Sequence, residues 1–395
     1  MESEKVMKVL LAPDKFKGSL TAAQVAARLG DGLRSRGVTV DELPLADGGD
    51  GSVDAAIAAG FSAVPVTVAA ATGRPHTTRI ALSDGRLGPV TAVVEVANTC
   101  GLHTLPGGRP APLAATSTGV GQAVRSAVER GARRVVLALG GSASTDGGAG
   151  LLAELGVAFR DGAGRTIQVA GGTLSRIVAV DPAGLPDLTG VDLVVASDVA
   201  NPLTGPNGAA AVYGPQKGAT PADVAVLDAG LQHLVEQLTS IRPDAAALAE
   251  TAGAGAAGGL GFAGLLLGGR IVSGADYFLD LLDFDRRVAD CDVVITGEGR
   301  IDDQTLNGKL PAVVARRSRP RPVIAVVGRS DLSAAAADEM GLTALHALTD
   351  HTDRNPAGDP DLSRSLLTAL ARTIPLVPQW DVVSESTSSP AKSMS

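Results

Sequence analysis

The sequence is poor in aromatic side chains, which make up 2% of its 395 residues. Its core must therefore be built from Ala, Val and Leu, and a hydrophobic content of 45% supplies them in quantity. Only two cysteines are present, Cys100 and Cys291, so neither a disulfide framework nor a zinc spacing is available. Both read as small buried hydrophobes in a reducing compartment. The five histidines avoid the ends of the expected strands, and no G-x-S-x-G occurs, which disfavours a Ser-His-Asp hydrolase. An excess of basic charge is also missing. The net charge of -8 argues against nucleic-acid or membrane-surface binding. No run approaches the ~20 apolar residues of a membrane span, and the N-terminus lacks the apolar segment of an export signal. A soluble, cytoplasmic protein is expected. Lysine is scarce too: seven of 34 basic residues, of which Lys15, Lys17, Lys217 and Lys309 fall in Gly- or Pro-punctuated segments. Compact ammonium groups placed there suit phosphates or a carboxylate.

Glycine, by contrast, is plentiful and concentrated. The stretch RRVVLALGGSASTDGGAGLLAEL (133–155) joins a short apolar run, Val135 to Leu139, to a helical pattern through a Gly-Ser-Thr-Asp segment. The run reads as a buried strand and the segment as a loop. Backbone N–H groups in such a loop can surround an anion, helped by the next helix N-terminus. It has the character of a phosphate loop without the G-x-x-x-x-G-K-[ST] consensus.

The same grammar of strand, polar loop and helix recurs along the chain. Val6 to Leu11 leads into Asp14-Lys15-Phe16-Lys17-Gly18-Ser19, and Thr21 with Gln24 forms a capping box for a helix ending at Gly37. Val38 to Leu45 leads into Asp47-Gly48-Gly49-Asp50-Gly51-Ser52, a close-approach loop or a solvated acidic turn. Alternation from Phe61 to Ile80, continued over Leu87 to Val96, predicts antiparallel strands. Thr116-Ser117-Thr118 precedes a helix over 119–130; one hydroxyl suffices for a cap, which leaves two to explain. FRDGAGRTIQVAGG (159–172) reads as a hairpin. Val191 to Ala196 leads into some twenty irregular residues through Lys217, long enough to suggest a functional loop. A helix over 221–240 follows. G-x-G-x-x-G occurs twice, at 253–258 and 259–264, but follows a helical segment instead of a strand, so it is read as a flexible connection lining the cleft, not a dinucleotide fingerprint. Asp290 to Thr296 and Val323 to Val327 are further strands, with a helix over 310–317 between them. No internal repeat is present.

Polar loops thus follow strand after strand, at 14–19, 47–52, 140–148, 198–208 and 297–303. In parallel α/β sheets ligands bind beyond the carboxyl ends of the strands, so these loops converge on one cleft or on two that face each other. They offer Asp14, Asp47, Asp50, Asp146, Asp198, Glu298, Asp302 and Asp303, with lysines and no histidine. That inventory suits phosphoryl transfer, which needs Mg²⁺ on carboxylates or phosphates, cations and N–H groups on phosphates, and a carboxylate to take the acceptor's proton. At 395 residues two domains are expected.

DKFKGSL (14–20), ADGGDGS (46–52), ATSTGVG (115–121), LGGSASTDGGAG (139–150), SDVANPLTGPNGAAAVYGPQKGAT (197–220), GAGAAGGLG (253–261) and ITGEGRIDDQTLNGK (295–309) resemble, in order, the signatures of the type-1 glycerate kinase family. The resemblance implies ATP-dependent phosphorylation of D-glycerate with Mg²⁺, most often giving 2-phosphoglycerate, with 3-phosphoglycerate or a related 2-hydroxy acid as alternatives. It implies a monomer or homodimer of two parallel-sheet α/β domains, Rossmann-like and flavodoxin-like, one inserted in the other around a deep cleft. Residues 1–68 and 286–380 would form the first domain, 69–285 the insertion, and 381–395 a disordered tail. By the same resemblance, Gly140, Gly141, Ser142, Ser144, Thr116 and Ser117 are expected on ATP, and Lys15 and Lys17 on phosphate or the glycerate carboxylate. Asp198 is the expected base with Asp47 its rival. Asn201, Arg300 and Lys217 are expected on substrate, and Asp302, Glu298 and Asp146 on the metal.

Overall fold

The computed structural model describes residues 6–376 apart from 87, 303, 304 and 306–308, so Asp303 and the expected tail lie outside the described residues. Two sheets organise the chain. The first contains five parallel strands: β1 (Lys8–Pro13), β2 (Thr39–Glu42), β9 (Val293–Gly297), β10 (Val323–Val327) and β11 (Ala344–Ala347). Their spatial order is β11-β10-β9-β1-β2, the flavodoxin-like 2-1-3-4-5 arrangement read from its other edge. Leu11 is paired with Ile295 of β9 on one side and with Glu42 of β2 on the other.

The second sheet contains β3 (Ser62–Ala69), β4 (Pro75–Leu82), β5 (Thr91–Glu95), β6 (Arg134–Ala138), β7 (Asp192–Ala196) and β8 (Arg270–Val272). Its strands lie in sequential order. β5 to β8 are parallel, whereas β3 and β4 form the antiparallel edge that the alternation predicted. The class is α/β, but this sequential mixed order is not the 3-2-1-4-5-6 order of a Rossmann sheet. β3 pairs along its full length with β4, so a boundary at 68/69 would cut a strand; one at 285/286 would cut the helix Phe284–Ala289.

Local chemistry explains the elements. Thr21 accepts from the Gln24 N–H while the Gln24 side chain accepts from the Thr21 N–H, so the capping box starts the helix Ala22–Arg34 as expected. Alternate residues of each parallel strand face opposite layers. On one face of the first sheet Val9, Leu11, Ile295 and Val326 pack against Val25, Leu29, Leu367 and Leu370. On the other, Leu10, Val294 and Val327 meet Leu279, Leu282 and Val313. The second sheet buries Val94, Val135 and Leu137 under helices that include Thr118–Glu129 and Ala256–Leu266. Its opposite face, with Val93, Val136 and Val194, packs on Val53, Ala56 and Phe278. The helices Ser52–Ala58 and Gly274–Leu281 therefore serve both sheets at once: Ala55, Ala275 and Leu279 face the first, Val53 and Phe278 the second.

One expected hairpin is reassigned. Ala158–Arg160 pairs with Ala179–Asp181, and within 159–172 only a single bridge, Arg160 to Thr166, forms. Both cysteines are buried and neither is in a disulfide. Among the described residues, no helix is long and apolar enough to cross a membrane.

Candidate active site

Carboxyl ends of strands from both sheets come together, those of β1 and β9 with those of β6 and β7. β1 leads into Asp14, whose N–H donates to the Gly297 carbonyl at 2.8 Å and so ties the ends of β1 and β9 together. The loop after β2 crosses to the second sheet, where Gly140 donates from its N–H to the Gly48 carbonyl at 3.4 Å. The approach is too close for side chains: a Cβ on Gly140 would lie 2.5 Å from the Gly49 Cα. Glycine is required at this crossing because two backbones touch there.

Four carboxylates gather at this junction. Burial raises the Asp14 carboxyl to about 7; Lys15 opposes the shift, while Asp47 and Glu298 add to it. Burial likewise raises Glu298 to about 7 against a hydrogen bond from Thr305 Oγ1 at 3.0 Å, and the charges of Asp302 and Asp47 assist. Asp198 accepts from the Gly274 N–H at 2.9 Å. Its carboxyl is raised by desolvation and by Asp47, with the Ser273 hydroxyl pulling the other way. Lys15 lies among them, its Nζ donating to the Asp50 carbonyl at 2.7 Å and standing 3.7 Å from Asp14. Burial disfavours its charge, but Asp14, Asp47, Asp50 and Glu95 outweigh that and raise the ammonium above its ordinary value. Lys17 is exposed and faces a separate cavity beside Arg300.

The glycine-rich loop after β6 looks quite different from an open cradle. Only Gly140 and Gly141 reach the surface, and 142–150 are buried. Asp146, expected on the metal, is fully buried and accepts from the Ser117 N–H at 2.7 Å, the Ser117 hydroxyl at 2.8 Å, and the Gly148 and Gly150 N–H groups at 3.2 Å. A carboxylate so enclosed ties the loop to the next helix instead of holding an ion. Ser117 Oγ also accepts from the Leu151 N–H, and Thr116 Oγ1 pairs with Thr118 Oγ1 at 2.9 Å. The two surplus hydroxyls are thereby explained, as internal ties. Ser142 and Ser144 are buried as well, so only the main chain of Gly140 and Gly141 is open at this loop.

Lys217, expected on substrate, lies beneath this same loop. Its Nζ donates to Ser142 Oγ at 2.8 Å and to the Ser144 carbonyl at 2.6 Å, and the residue is 3% exposed. Burial lowers its ammonium to about 8. The loop does have a lysine, delivered from behind by the irregular stretch after β7. Asn201 stiffens that stretch, accepting from the Tyr213 hydroxyl at 2.6 Å and donating to the Asn207 carbonyl at 2.8 Å. The stretch 253–259 is not a flexible cleft lining either. It is mostly buried behind the loop, where Gly258 abuts the Ser144 carbonyl and a Cβ on Gly259 would lie 2.5 Å from the Gly147 Cα.

Two residues matter more than their sequence signals suggested. Asp14 sits at the centre of the carboxylates, as the lone acidic residue following β1. Glu95, the last residue of β5, is 1% exposed and accepts from the Val53 N–H at 3.0 Å, capping the helix Ser52–Ala58 from the opposite sheet. Burial raises its carboxyl to about 7.

Among the described residues, no group of three or more His, Cys, Asp or Glu side chains could hold a metal ion alone. Mg²⁺, however, is commonly held by one or two carboxylates plus substrate phosphates. Desolvated neighbouring carboxyls such as Asp14 and Glu298 fit that partial shell.

Comparison with known proteins identifies the family. Residues 9–374 match the family described as the glycerate kinase family. The chain is 40% identical over 350 residues to a glycerate kinase of Bacillus subtilis, covering 87% of this chain and 90% of that protein. It is 38% identical over 351 residues to the glycerate 2-kinase of Escherichia coli, covering 87% and 89%. A crystal structure described as a putative glycerate kinase 2 from Salmonella typhimurium LT2 superposes with a TM-score of 0.76 at 35% identity, covering 92% of this chain and 98% of that one.

Proposed function

The chain belongs to the glycerate kinase family, and on that premise we propose that it transfers the γ-phosphoryl group of ATP to the 2-hydroxyl of D-glycerate, giving 2-phosphoglycerate and ADP. The observation that carries this reading is the junction of Asp14, Lys15, Asp47, Asp198 and Glu298 at the meeting of two sets of strand ends. Phosphoryl transfer is mostly positioning and charge compensation, with a carboxylate to receive the acceptor's proton. Lys15, held strongly cationic, offers its ammonium to the transferring phosphoryl group. The exposed main chain at Gly141 faces phosphate oxygens from the other wall, the Gly140 N–H being taken by the Gly48 carbonyl.

Asp198 is the proposed base. A carboxylate whose proton affinity is raised takes a hydroxyl proton more readily near neutral pH, and the Asp47 charge helps to raise it. Asp47, which accepts from the Gly49 N–H at 3.0 Å, shapes the crossing loop and is the rival for this role. Bound Mg²⁺ would neutralise phosphate charge, held by one or both of Glu298 and Asp14 together with the nucleotide.

The decisive assay couples the product to enolase without phosphoglycerate mutase. Signal from ATP and D-glycerate is the expected result. Signal only after the mutase is added would mean the 3-phosphate. ADP release with another 2-hydroxy acid and none with glycerate would overturn the substrate.

A further inference from the structure

We infer that the 450 Å³ cavity beyond the carboxyl ends of β1, β9 and β10, not the glycine-rich loop of the second sheet, takes the base and ribose of the nucleotide. The inference rests on the kinase reading and assigns the donor's half of that site. Topology supplies the first argument. From β1 the chain runs to β2 on one side, then returns to β9 on the other, which makes the space between β1 and β9 the switch point of the first sheet. Crevices at such points are where open α/β sheets bind nucleotides. The cavity is lined by Phe16 and Lys17 after β1, Gly299 and Arg300 after β9, and Arg329 after β10.

Its chemistry fits a nucleoside di- or triphosphate. Phe16, Pro356 and Ala357 give an apolar wall suited to a base. Arg300 and Arg329 donate to the two oxygens of one carboxylate, Asp331, at 2.7 and 2.9 Å, so both guanidinium groups are held in place on the rim. Arg354, on the facing segment, is anchored by Asp359. The floor stays flat because side chains have no room: a Cβ on Gly299 would lie 3.0 Å from the Lys17 backbone nitrogen, and one on Gly328 would strike the Gly299 carbonyl.

Continuity with the reaction centre supplies the last argument. Phe16 and Lys17 directly follow Asp14 and Lys15, and Gly299 directly follows Glu298. Phosphates extending from this cavity therefore run toward the carboxylates, with Lys17 at the join. The other large cavities are less suited. The 830 Å³ cavity is lined by Thr91 and Arg134, the first residues of β5 and β6, and so lies at the opposite ends of the strands. The 470 Å³ pocket is lined by Pro65 of β3 and His76 to Arg79 of β4, so it lies on the antiparallel edge of the second sheet, away from a switch point.

The test is calorimetric titration with ADP in the absence of glycerate, on the full chain and on two variants. Ala357→Trp fills the cavity from an exposed position, and Lys17→Ala removes the cation at its inner edge. Each is expected to weaken ADP binding tenfold or more and to raise KM for ATP alike. KM for glycerate should stay within twofold, with thermal stability unchanged. ADP affinity within twofold of wild type in both variants would overturn the assignment, as would a wild-type chain that binds no ADP. Weakened ADP binding together with no phosphoryl transfer to glycerate would leave this site standing and sink the proposed reaction instead.

Discussion

At the scale of single residues, the informative groups are those whose surroundings set their proton affinity. Glu95 is nearly inaccessible, and its carboxyl is raised from 4.5 to about 7. A carboxyl raised on folding contributes stability that is complete below its unfolded value and is lost as pH rises through its folded value. The window is therefore pH 4.5 to about 7. Gln keeps an oxygen for the Val53 N–H but never ionises, so Glu95→Gln should gain on the wild type across that window. The gain reaches up to ~3 kcal/mol. Denaturant melts of both proteins at pH 5 and pH 8 measure it, and an equal difference at the two values would refute the assignment. For Asp198, exchange to Asn removes the proton acceptor without changing shape. A fall in kcat of roughly 10²–10⁴ is expected at little change in stability, and a kcat near wild type would pass the role to Asp47.

At the scale of elements, the loop after β6 shows how a correct motif can be misread. Its glycines and hydroxyls were legible, and its position between a strand and a helix was as expected. What the spacing did not reveal is that Asp146, 29 residues from Ser117, would turn inward to meet it. A one-dimensional pattern does not distinguish N–H groups aimed at a ligand from N–H groups aimed at an enclosed carboxylate. The same limit hid Lys217, which lies 75 residues from Ser142. Strands long enough to show an apolar run were readable, as Val323–Val327 was. The edge strands Arg270–Val272 and Ala344–Ala347 were too short to stand out. Asp146→Ala should leave the Ser117 hydroxyl and several N–H groups without an acceptor, each worth ~1–3 kcal/mol when buried. The expected loss in a urea melt exceeds ~3 kcal/mol. It should be the same with and without Mg²⁺; a loss that appeared only with Mg²⁺ would restore the metal role.

At the scale of the whole molecule, the two sheets share a layer. We propose two domains that meet near Gly60 and Ser273, with the helices Ser52–Ala58 and Gly274–Leu281 packed between them. Independent domains joined by a linker open and close freely and melt separately. Here Phe278 is buried against the second sheet while its neighbour Leu279 is buried against the first, so neither sheet retains a complete core without the other. Any opening of the site would then have to part the touching loops at Gly49 and Gly140 without separating the shared helices from either sheet. Unfolding should be one calorimetric transition. Phe278→Ala removes the largest fully buried side chain at the second sheet's side of that layer, at a cost of ~3–5 kcal/mol. That one transition should move down intact, because a cavity in a shared layer weakens both sheets. Two resolved transitions, with only one displaced by the substitution, would show that the sheets stand alone and that the cleft opens as a hinge.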